Sequence, residues 1–151
     1  AQKWACVPSA LWEQARQEAK DLEFRGEYHI LGTDIDPSSL SIAIANAKKA
    51  GVSKYIEFRE GDATKLPLPA PSGLIVCNPP YGERMMEQRS AQQLMRAFGR
   101  HLRYADGWSK YIISSEAEFE HWFGAPAVKK RKLYNGRLQC NLYMYYTKDR
   151  R

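Results

Sequence analysis

The sequence predicts an α/β fold, a mostly parallel sheet covered by helices and closed by a C-terminal antiparallel hairpin. Three observations carry that expectation. Strand-like apolar runs alternate with helical stripes through most of the 151 residues, as strands joined by helical crossovers do. Asp36-Pro37 directly follows one such run and marks a passage from strand to helix. Asn135-Gly136 separates two strand-like runs near the end, a strong local hairpin signal.

The elements follow in order. After Pro8-Ser9, residues Leu11, Ala15, Ala19 and Leu22 recur at helical spacing, with Ser9 as the expected cap and Gly26 closing the region. His29–Thr33 reads as a short buried strand. Asp36 is placed to cap the next helix, and Pro37 at its first position loses no hydrogen bond. Leu40, Ala43, Ile44 and Ala47 form its apolar stripe. Lys48 and Lys49 suit the negative end of the helix dipole, and Gly51 suits its terminator.

Tyr55–Arg59 is the second expected strand, with Ile56 and Phe58 on one face, and it runs into Gly61-Asp62-Ala63. Pro67, Pro69 and Pro71 keep residues 65–73 irregular. Leu74–Cys77 is the third strand. A helix is expected over Ala91–Leu102, using Leu94, Met95, Phe98 and Leu102 as core. Tyr111–Ile113 is a fourth strand and Glu116–Phe123 a short helix. The hairpin uses Lys132–Tyr134 and Leu138–Tyr146.

Length and composition suit one folded domain: apolar residues are 44% and charged residues 26%. No run reaches the ~18 apolar residues of a membrane span, and no signal peptide is visible. The chain opens Ala1-Gln2-Lys3-Trp4 without a Met, as a trimmed or excised piece of a longer polypeptide would. Cys6, Cys77 and Cys140 are too scattered for a disulfide framework and read as reduced thiols of a cytoplasmic protein. His29, His101 and His121 lack ligand spacing, so no metal site is expected. A net charge of +6 favours an anionic partner. Lys129-Lys130-Arg131-Lys132 is its most concentrated patch, suited to a phosphate backbone or simply to solvated surface.

In open α/β sheets, ligands bind beyond the carboxyl ends of the strands. Three such ends are marked here: Asp34/Asp36, Asp62 and Asn78–Tyr81. Asp34 is the candidate for ribose hydroxyls and Asp36 mainly a helix cap. Asp62 is placed to accept an adenine amino group, with the Ala63 N–H toward a ring nitrogen; a plain Gly-Asp turn is the structural alternative.

Asn78-Pro79-Pro80-Tyr81 accepts hydrogen bonds, donates few and offers an aromatic face. An exocyclic amine on a base is a poor nucleophile because its lone pair is delocalised into the ring. If the Asn78 side-chain oxygen and the Pro79 carbonyl each accept one of its N–H groups, the nitrogen is held with its lone pair toward an electrophile. Orientation and carbonyl dipoles then supply most of the gain, and no strong base is needed beforehand. Tyr81 can stack on an extracted base. Gly82 permits a tight turn, and Glu83 and Arg84 read equally as substrate contacts or a local ion pair. A rigid Asn-Pro-Pro-Tyr turn is the bland alternative.

These residues resemble the class I S-adenosylmethionine-dependent methyltransferases that modify exocyclic amines, whose fold is Rossmann-like. The nearer likeness is to the bacterial 23S ribosomal RNA guanine-N2 methyltransferase family, known also as N6-adenine-specific DNA methylases. It lies in Gly32–Pro37, in Asn78–Arg84 and in the tail Lys132–Leu138, and it spans nearly the whole chain. The resemblance implies S-adenosyl-L-methionine as cofactor, bound by Asp34, Ile35, Asp62, Ala63 and Asn78, with Asp34 on the ribose and Asp62 on the adenine. It implies an acceptor pocket of Asn78, Pro79, Pro80 and Tyr81, and N2 of a guanine in 23S ribosomal RNA as the methyl acceptor. It also implies a preceding part of the same protein, holding the first strand, a glycine-rich loop and an RNA-binding domain. No Gly-x-Gly occurs in these residues, so the chain reads as the C-terminal portion of the domain, lacking half of the cofactor site and leaving strand edges open. The isolated piece is expected to be inactive. Adenine N6 in DNA and guanine N2 in transfer RNA are the competing substrates, and a non-catalytic nucleic-acid-binding module is the competing class.

Overall fold

The computed structural model describes residues 4, 6–24, 26–80 and 85–146. Among these residues, four α-helices and six strands follow one another: α1 (Ser9–Asp21), β1 (Ile30–Asp34), α2 (Pro37–Lys49), β2 (Ile56–Glu60), β3 (Gly73–Cys77), α3 (Met85–Leu102), β4 (Trp108–Ser114), α4 (Phe119–Phe123), β5 (Lys129–Asn135) and β6 (Leu138–Tyr145). A 3-10 turn, Ser53–Tyr55, leads into β2. The sheet is Rossmann-like, of mixed direction, and lies in two pieces. β1 pairs with β2, and a four-stranded sheet runs in the order β3-β4-β6-β5. The β3–β4 pair is parallel, and the β5–β6 hairpin is antiparallel and joins through β6 to β4.

The chain divides into two compact units, residues 1–32 with 41–58, and residues 33–40 with 59–151. The expected stripe of α2 is the packed one: Leu40, Ala43 and Ile44 are half-buried and Ala47 is buried. The helix closes as a Schellman motif. The Val52 N–H bonds the Ala47 carbonyl and the Gly51 N–H bonds the Lys48 carbonyl, with Gly51 at φ 72°. In α1, by contrast, Leu11 and Leu22 are exposed and Trp12 is the half-buried residue. Ser9 is not the cap. Pro8 takes that position with an extended backbone, its carbonyl accepts the Leu11 N–H at 3.1 Å, and Ser9 becomes the first helical residue. β1 begins one residue later than expected and is not buried, because among the described residues its only strand partner is β2.

The second unit holds the core. Met95, Phe98 and Leu102 of α3 and Phe119 and Phe123 of α4 pack on one face of the four-stranded sheet, against Ile112, Tyr143 and Tyr145. The rings interlock: Phe119 and Tyr143 lie 4.3 Å apart by centroid, Phe119 and Phe123 5.3 Å, and Phe98 meets Phe123 edge-on. The two buried tyrosine hydroxyls are satisfied, Tyr143 donating to the Glu116 carbonyl and Tyr145 to the Ala125 carbonyl. The opposite face carries Leu74 and Val76 of β3, which are 59% and 75% exposed.

Several bounds differ from expectation. α3 starts six residues before Ala91, since helix formers need no core contact to continue a helix that its later turns anchor. α4 starts at Phe119 because Glu116–Glu118 form a turn in which the Glu116 N–H bonds the Ser114 hydroxyl. β4 and β5 are each seven residues, longer than their apolar runs, because pairing with β3 at one end and β6 at the other extends β4, and pairing with β6 extends β5. The hairpin turn is centred on Gly136 and Arg137, with Asn135 paired to Leu138. Only Gly136 has positive φ there, as at the first central position of a type II′ turn.

Candidate functional site

All predicted site residues with described positions fall in the second unit, at strand ends. The structure separates the two carboxylates that follow β1. Asp36 is used up as a cap: its oxygens accept the Ser38 and Ser39 N–H groups and both hydroxyls, the shortest at 2.6 Å. Its carbonyl accepts the first helical bond, from Leu40. The Ser38 side-chain hydrogen bond is the main reason its pKa falls to about 2. Asp34 spends one oxygen, Oδ1, on the Asp36 N–H at 2.9 Å. Its Oδ2 carries no bond to a described residue, and Asp34 is exposed, so that oxygen stays available to a ligand hydroxyl. Ile35 between them is 68% exposed, an apolar side chain at a polar strand end.

The end of β2 is tied to this pair. The Gly61 N–H donates to the Asp34 carbonyl at 3.0 Å, which sets Asp62 beside the β1 end. Asp62 is more occupied than its expected role implies. Oδ1 accepts the Thr64 N–H and hydroxyl at 2.9 and 2.7 Å, and Oδ2 pairs with Lys65 at 3.3 Å. The Thr64 hydroxyl is the first cause of its lowered pKa. The turn-forming alternative therefore describes its contacts, and a ligand amine would have to compete with an exposed lysine for Oδ2. Ala63 is exposed, and its N–H bonds no described residue. Thr64, Ser38 and Ser39 were not singled out from the sequence. Their signal was local: an Asp followed at two or three residues by Ser or Thr, the pattern of side-chain-capped turns.

β3 delivers the third group. Asn78 is exposed directly after Cys77, Pro79 is buried and Pro80 is exposed. The buried proline anchors the motif while its neighbours stay at the surface, and proline fixes the backbone on either side. Tyr81, with Gly82, Glu83 and Arg84, lies outside the described residues. Burial pushes the Cys77 thiol up to about 11, so the residue beside Asn78 stays a neutral thiol near neutral pH. Among the described residues, no three His, Cys, Asp or Glu side chains converge as a metal site would require.

The chain matches the UPF0020 family (RMKL-like, methyltransferase domain) over residues 2–144. It is 37% identical over 147 residues to the ribosomal RNA large subunit methyltransferase K/L of Legionella pneumophila, covering 94% of this chain and 20% of that protein. A crystallised possible methylase from Clostridium difficile 630 superposes with a TM-score of 0.85 at 41% identity, covering 99% of this chain and 40% of that one. The crystal structure of SMU.472 complexed with SAH gives a TM-score of 0.83 at 30% identity, again with 99% of this chain and 40% of that one covered. The chain thus spans a fifth to two fifths of the length of these relatives.

Proposed function

The chain belongs to the RMKL-like methyltransferase domain family, and on that premise we propose that it forms the acceptor side and the adenosine side of an S-adenosylmethionine-dependent N-methyltransferase. The methyl acceptor is N2 of a guanine in 23S ribosomal RNA, which makes the enzyme a cytoplasmic one. One observation carries the reading: Asn78 is exposed at the carboxyl end of β3 while Pro79 is buried beneath it. An amide in that setting is held by its backbone and still reachable by a substrate.

The residues present fit the nucleoside end of the cofactor. Asp34 offers a free carboxylate oxygen for ribose hydroxyls, the Ala63 N–H is open to a ring nitrogen, and exposed Ile35 offers an apolar contact. Asp62 takes the adenine amine in competition with Lys65. For the methionine end, the sequence holds no Gly-x-Gly loop. When bound, the cofactor supplies an electrophilic methyl group on a sulfonium.

The chain's own residues do the rest. The Asn78 side-chain oxygen and the Pro79 carbonyl accept the two N–H groups of the guanine amine and fix its direction. Their dipoles stabilise the positive charge that would grow on that nitrogen as its new N–C bond replaces the S–C bond of the cofactor, and the methylated amine would then release its proton to water. Tyr81 stacks on the extracted base. The neutral Cys77 thiol neither removes that proton nor competes for the methyl group.

The test uses the full-length protein that contains this segment, unmodified ribosomal RNA and cofactor labelled in its methyl group. Asn78→Ala lowers turnover on the order of a hundred- to a thousandfold, while RNA affinity changes little. Unchanged turnover removes Asn78 from its role. Label found only in DNA or only in transfer RNA defeats the substrate, and RNA binding without any transfer leaves a binding module.

A further inference from the structure

β5 is an edge strand of the four-stranded sheet, and its first four residues, Lys129, Lys130, Arg131 and Lys132, are all exposed. The opposite edge, β3, has no charged residue at all. One cation of the four is committed: Lys130 donates to Glu120 Oε2 at 2.7 Å, and that hydrogen bond raises the lysine's pKa. Among the described residues, Lys129, Arg131 and Lys132 form no ion pair. Lys132 lies instead over the exposed Tyr134 ring, 5.4 Å from its centroid.

The sheet register sets this run level with the acceptor motif. Cys77 pairs with Ile112, Ile112 with Tyr143, and Tyr143 with Lys130, so one row crosses the whole sheet. The next row, Ile113–Leu142–Arg131, stands at the level where β3 gives way to Asn78. Three interstrand spacings make the separation about 14 Å. That is the length of about four stacked nucleotides.

We propose that Lys129 and Arg131, which alternate onto one face of β5 while Lys130 and Lys132 take the other, grip the phosphate backbone of the strand whose base is presented to Asn78, a few nucleotides from the target. The partner is thus single-stranded RNA, held by charge along that face of β5. This rests on the RNA reading of the acceptor site. The plainer role for lysines on an edge strand is to prevent edge-to-edge pairing. The two roles differ in sign: glutamate protects an edge as well as lysine does, but it repels phosphate.

The experiment measures binding of a short fluorescein-labelled single-stranded RNA to the full-length protein that contains this segment by anisotropy, as a function of salt. Wild type is compared with Lys129→Glu/Arg131→Glu and with Lys129→Gln/Arg131→Gln. Both variants are expected to bind more weakly, and loss of two phosphate contacts flattens the slope of log affinity against log salt by about 1.4. Between about 50 and 200 mM salt, wild type then loses roughly sevenfold more affinity than either variant. If the glutamate variant does not melt cooperatively, the glutamine variant decides by the same slope. Affinity and slope unchanged in the folded variants overturn the proposal, leaving edge protection only. Tighter binding of wild type to phosphatidylserine vesicles than to RNA overturns it as well. The readout needs no methyl transfer, so failure of Asn78→Ala to affect turnover is a separate result.

Discussion

Gly99 lies buried in α3 where that helix meets α4. A Cβ built there falls 1.9 Å from the Phe123 carbonyl oxygen and 2.8 Å from its carbon, both backbone atoms. Side-chain rotation cannot relieve such a contact. To restore even a 3.0 Å separation, the helices must part by about 1 Å. Phe98 and Phe123, which flank the contact with ring centroids 6.2 Å apart, would loosen with them. Overpacking a core of this kind costs about 1–3 kcal/mol, and here the clash is with backbone, which favours the upper part of that range. Alanine returns up to about 1 kcal/mol of helix propensity. The net expectation for Gly99→Ala is about 1–2 kcal/mol of destabilisation. For a chain of this size that lowers Tm by roughly 2–8 °C, read by circular dichroism with urea melts as a second measure. A Tm at or above wild type would mean that the helices part freely, refuting the claim that this close approach fixes α4.

Asp36→Asn should flatten the acid end of the stability profile. The folded pKa of about 2 lies below the 3.8 of an ordinary aspartate, so the stability this carboxylate contributes is complete above about 4 and lost as pH falls toward 2. Wild type and variant should converge at the bottom of that window; parallel acid melts would contradict the cap. Asp34→Ala should instead weaken SAH binding, measured by calorimetry in the full-length protein, with Tm little changed; the reverse pattern would exchange the roles of the two aspartates. Iodoacetamide at mildly alkaline pH should label exposed Cys6 well before Cys77 and buried Cys140, as read by mass spectrometry. Equal rates would show that the β3 end is not closed over its thiol.

The α2 segment was legible residue by residue. Its cap, its stripe and its glycine stop are each settled within about one turn of chain, and all three stand in the structure as read. The division between Asp34 and Asp36 was legible for the same reason, since Ser38 and Ser39 are sequence neighbours of the capping carboxylate. Asp62 was read less well. The sequence could not rank a ligand amine above Thr64 and Lys65 as its partner, and the turn holds both oxygens.

Strand lengths and sheet order were beyond local reading. Nothing in Lys129-Lys130-Arg131 suggests a strand, yet those residues are strand because Leu142, Tyr143 and Met144 lie opposite them. Nor does a local pattern say that β6 enters between β4 and β5, which makes the basic run an edge and sets it level with Asn78. Hydrogen bonds within a few residues leave their mark in the order of the letters. A ladder partner is chosen by the far-off segment that buries the shared face, and only the folded chain reveals which segment that is.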